Sequence, residues 1–188
     1  MNDWVLALAD AATYIAGENT KAGSPLQGHL VTASVSLIGH STNGFAAILL
    51  ATNGSLSVNA MALLAPADGA GNVINFAPKP VMVVHGTQDV GPHGDGGQSL
   101  NVYAGAAPKK HLVDIDGANH FGFTDALCIQ EDATATITQA DQQKIATAYL
   151  TAFFRRYVSN APDLDDYLSG ARPIEELDAF TITVQAQL

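Results

Sequence analysis

The sequence predicts an α/β fold, a mostly parallel sheet of about four strands flanked by helices. Two observations lead there. Short apolar runs alternate with longer segments of helical period, and each run is continuously apolar instead of alternating, as strands buried on both faces are. Length agrees, since 188 residues suffice for one domain with its own core and are too few for two comfortable ones.

Taken in order, residues 3–18 read as a helix with Trp4, Leu8, Ala12 and Ile15 on one face, and Gly17, Gly23 and Pro25 mark a loop. Residues 31–38, rich in β-branched side chains, predict a strand. Residues 45–52 predict a helix stopped by Asn53-Gly54, and residues 58–64 a second strand ended by Pro66. A Gly/Pro/Asn-bearing connection over 68–80 leads to a third strand at 81–85, which opens into the glycine-dense loop 86–97. A short helix over 98–104, a fourth strand at 111–115 and a long helix over 138–158 follow, the last with Ile145, Tyr149, Ala152, Phe153 and Tyr157 facing inward. Residues 1–158 thus form the domain. Residues 159–188 form a tail, with a short acidic helix at 163–168 and an extended piece at 180–185, that packs on the domain or mediates association.

Composition excludes several classes. A net charge of −10 opposes binding to nucleic acid or anionic membranes, and no apolar run approaches the roughly 18–20 residues that span a bilayer. No Gly-x-Gly-x-x-Gly or Walker-type loop follows a strand, against dinucleotide or nucleotide binding. The single cysteine, Cys128, allows no internal disulfide. The segment after Met1 shows no charged n-region, and a cytoplasmic or a mature secreted location both fit.

The segment with chemistry is Gly39-His40-Ser41-Thr42-Asn43-Gly44, where a strand runs into a small-residue turn holding a serine and then into a helix. Such a turn lifts the serine Oγ clear of the sheet, above a helix N-terminus that favours developing negative charge. Downstream stand Val83-Val84-His85-Gly86-Thr87-Gln88-Asp89 and Gly117-Ala118-Asn119-His120-Phe121, each following a strand at the end where open α/β sheets place their sites. On these segments the chain resembles the α/β-hydrolases, in the chain order Ser41, Asp89, His120. Gly23-Ser24-Pro25-Leu26-Gln27-Gly28 with His120-Phe121 is similar to cutinase-like polyester hydrolases and dienelactone-hydrolase relatives. The resemblance implies Ser41 as nucleophile, His120 as base, Asp89 as its orienting acid, the Thr42 N–H as an oxyanion donor and His40 packed in the elbow beside the substrate.

Other readings stand beside these. Asp95, Asp116 and Asp125 lie near enough in sequence to compete for the role of the acid, and His120 taken alone also reads as a loop histidine capping a backbone carbonyl, whereas beside Ser41 it reads as catalytic. His85, His93 and Asp95 match no strong metal signature, and the chemistry calls for no metal or organic cofactor.

Two departures from the family pattern matter. Asn43 stands where the closing glycine of Gly-x-Ser-x-Gly belongs, with Gly44 following. Only residues 1–30 precede the elbow strand, so the chain corresponds to the later part of the family fold and lacks the loop that gives the second oxyanion donor. The elbow strand is then expected to expose an apolar edge, covered either by a second copy in a homo-oligomer or by the tail at 180–185. The expected function is serine-dependent hydrolysis of small-molecule carboxylic esters. A catalytically weak or inactive hydrolase-like binding module or partner fragment is the alternative.

Overall fold

A computed structural model describes residues 2–69, 79–90, 96–125 and 133–188. Its sheet has five strands in the order β1 (Val35–His40), β2 (Val58–Leu64), β3 (Val81–Gly86), β4 (Lys110–Ile115) and β5 (Ile182–Gln187). The first four are parallel and β5 runs antiparallel to β4. The class is α/β with a mostly parallel sheet, one strand larger than the sequence predicts. Ile182, Val184 and Ala186 turn inward while Thr183, Gln185 and Gln187 face solvent, the period-two pattern of an antiparallel strand with one wet face.

Helices cover both faces. On one, α1 (Asn2–Glu18), α2 (Thr42–Asn53) and α3 (Gly96–Gly105) pack with Leu37, Met61, Leu63, Val81, Val83 and Leu112. On the other, α4 (Gln139–Val158) lays Ile145, Tyr149 and Phe153 against Ala62, Met82, Val84, Val113 and Ile115. Neighbouring residues of β2 and β3 thus enter opposite cores, which is why these strands read as unbroken apolar runs. The tail adds α5 (Asp165–Ser169), whose Leu168 is fully buried in the α4-side core.

Three expectations change. The elbow strand begins at Val35, not at residue 31, because pairing with β2 starts at Val35↔Val58, and Val31 is exposed. Helix α1 meets the core through Val5, Leu8 and Ala9, leaving Trp4 and Ile15 exposed. The tail pairs with β4, at the opposite end of the sheet from β1, and so does not cover the elbow strand. Among the described residues the outer side of β1 is unpaired, with Ile38 54% exposed. A groove of about 560 Å³ runs beside it between Val31, Ser36, Ile38, Phe154 and Val158. No described helix is long and apolar enough to cross a membrane.

Candidate active site

Ser41 links β1 to α2 with φ 55° and ψ −126°, a conformation that costs a side-chain-bearing residue about 1–3 kcal/mol and persists only when neighbours enforce it. They do so through backbone bonds. Ser41 N–H donates to Leu64 O at 3.0 Å, and Ser41 O accepts from Gly44 N at 2.9 Å and Ala67 N at 3.1 Å. The loop after β2 therefore grips the turn between β1 and α2. Close packing falls at Gly39 and Gly44: a methyl group on Gly39 would lie 2.6 Å from Asn43 O, and one on Gly44 3.0 Å from Pro66 Cβ. Asn43, which stands where the closing glycine belongs, is exposed.

The structure brings Ser41, Asp89 and His120 together. Ser41 Oγ lies 2.9 Å from His120 Nε2, and His120 Nδ1 lies 3.0 Å from Asp89 Oδ1. With Nδ1 protonated the imidazole donates to the carboxylate and accepts from the serine hydroxyl, the tautomer that leaves Nε2 ready to take a proton. Asp89 is 1% and His120 3% exposed, so little water competes for their bond. The rival carboxylates are otherwise engaged or lie elsewhere: Asp116 accepts from Thr87 Oγ1, Asp125 accepts from Gln143 Nε2, and Asp95 lies outside the described residues together with His93 and Cys128.

The loops that carry Asp89 and His120 are bonded to each other. Gln88 N–H donates to Ala118 O at 2.8 Å, Thr87 N–H donates to Ile115 O at 3.1 Å, and Thr87 Oγ1 accepts from Gly117 N at 2.9 Å. Gly86 completes the fit, since a Cβ there would come within 2.4 Å of Ala118 O. Thr42, the first residue of α2, offers a backbone N–H at the positive end of the helix, where no intrahelical acceptor exists. His40 sits against His120. Its Nε2 donates to His120 O at 2.9 Å, and its ring centroid is 4.7 Å from that of His120, with Phe121 and Phe123 packed around it.

His85 pairs through Nδ1 with Asp114 Oδ1 at 2.8 Å, and its buried Nε2 has no hydrogen-bond partner among the described residues. Among the described residues no group of three or more His, Cys, Asp or Glu side chains is arranged to hold a metal ion.

Sequence reasoning missed the supports of this constellation, Thr87 and Gln142 above all. Thr87 lay in view inside the segment that supplies Asp89. Gln142 was hidden, because a polar residue in the first turns of a helix normally signals a wet face, yet here it is fully buried. No family model matches this chain, and no curated protein matches it.

Proposed function

We propose that the protein hydrolyses carboxylic esters through an acyl-enzyme on Ser41, using a sheet that corresponds to the α/β-hydrolase fold from the elbow strand onward. The observation that supports this reading is the unbroken chain of bonds Ser41 Oγ–His120 Nε2 and His120 Nδ1–Asp89 Oδ1, at 2.9 and 3.0 Å. Ser41 Oγ attacks the carbonyl carbon while His120 Nε2 takes its proton. Asp89 holds the tautomer and stabilises the imidazolium, and the Thr42 N–H donates to the oxyanion. Collapse of the tetrahedral intermediate expels the alkoxide, which receives the proton from Nε2. Water then cleaves the acyl-enzyme by the same route. Small acyl esters, polyester-type bonds included, suit a site with one identified oxyanion donor.

Hydrolysis of p-nitrophenyl acetate and butyrate by wild type and Ser41→Ala tests the reading. The variant should lose roughly 10⁴-fold or more of the rate. Equal rates would sink the mechanism.

The unpaired β1 edge beside the site favours one further reading, a catalytically weak or inactive hydrolase-like module that docks a partner. Covalent labelling by a fluorophosphonate separates the two, since it requires the serine–histidine pair and little of a substrate pocket. In either reading we take the occupant of the edge to be a second copy of the chain.

A further inference from the structure

We propose that Gln142 is a positioning residue for His120. The proposal rests on the ester-hydrolase reading above. Gln142 lies in the second turn of α4, is 0% exposed, and uses both ends of its amide on one residue. Its Nε2 donates to Asn119 O at 2.8 Å, and its Oε1 accepts from Asn119 N at 3.1 Å. The side chain thus mimics a neighbouring strand, fixing the N–H and C=O of the residue just before His120. The loop is shaped to admit the amide, since a Cβ on Gly122 would fall 2.2 Å from Gln142 Oε1. Asn119 is held further by its own side chain, which accepts from Gly122 N at 3.0 Å and donates to Ala133 O at 2.9 Å.

The carbonyl on the far side of the imidazole is held by His40. Gln142 before and His40 after leave the backbone of His120 little freedom to swing. Position matters to catalysis because a displacement of about 1 Å can cost roughly 10²-fold in rate. Gln142 touches neither Ser41 nor the reacting atoms and acts only through Asn119.

Gln142→Leu fills the space but leaves Asn119 N–H and C=O without partners. Gln142→Glu keeps the shape, and its protonated carboxyl has the donor and acceptor of the amide. When ionised it loses the donor and faces Asn119 O with a negative charge. We expect Gln142→Leu to retain its fold by circular dichroism, to lose about 10²-fold in kcat on p-nitrophenyl butyrate, and to change KM little. We expect the activity of Gln142→Glu relative to wild type to fall as pH rises through the titration of the introduced carboxyl. A merely structural glutamine would not produce that pH-dependent ratio. A ratio flat with pH, or a folded Gln142→Leu with wild-type kcat, would overturn the positioning role while the hydrolase reading stands. A wild type without Ser41-dependent turnover would overturn both.

Discussion

Gly39 shows at the scale of one residue why this turn accepts so few sequences. A Cβ there would meet Asn43 O at 2.6 Å and the Gly44 backbone at 2.7 Å, and main-chain atoms cannot swing aside as a flexible side chain would. Gly39→Ala should therefore cost about 1–3 kcal/mol by urea denaturation, with Ser41 displaced and its labelling by a fluorophosphonate slowed. Unchanged stability and labelling would show that the turn has slack. The sequence made the serine legible because small residues surround it between a strand and a helix. It did not show which glycine carries the second close approach. Asn43 occupies the expected position, yet the backbone turns so that Gly44 meets Pro66 and Asn43 points to water.

At the scale of elements, β4, α4 and α5 are joined by one buried imidazole. His111 on β4 is 0% exposed, donates through Nδ1 to Leu168 O at 2.9 Å and accepts from the Tyr157 hydroxyl at 2.8 Å. Burial pushes its pKa below the ordinary histidine value, and pushes that of Tyr157 up. The sign follows from linkage. Below the unfolded pKa of about 6.5 the unfolded chain binds a proton that the folded chain resists, so stability is complete above that value and declines as pH falls toward the folded pKa. The urea midpoint should drop between pH 7.5 and 5 in wild type, and drop less in His111→Asn. Parallel declines in the two proteins would remove His111 from the account. The inward face of α4 was readable, because Ile145, Tyr149, Ala152 and Phe153 are large or closely spaced apolar residues on a helix of mixed composition. In α1 apolar residues occur on nearly every side, so periodicity alone could not choose between the Trp4 and the Val5 faces.

For the whole molecule, the open side of β1 is where we propose that a second copy docks. On a chain of net charge −10, the groove is lined by the uncharged Val31, Ser36, Ile38, Phe154 and Val158 together with Arg155, and no Lys or Pro lies in the strand itself. Sedimentation should show a dimer that Ile38→Lys converts to monomer, and a monomeric wild type at high concentration would retire the idea. The four parallel strands were legible, since each reads as a continuous apolar run. The place of β5 was not, because the choice of β4 as its partner depends on Leu168 and Val184 meeting the α4 core, a contact set by the folded shape. The bonds that unite Ser41, His120 and Asp89 bridge gaps of 79 and 31 positions along the chain. No short fragment can reproduce them, so under the proposed mechanism the nucleophilicity of a single hydroxyl becomes a chemical gauge of cooperative order. In a denaturant titration, labelling that vanishes before the helical signal would reveal the His120 loop opening ahead of the sheet, and coincident curves would reveal one indivisible unit.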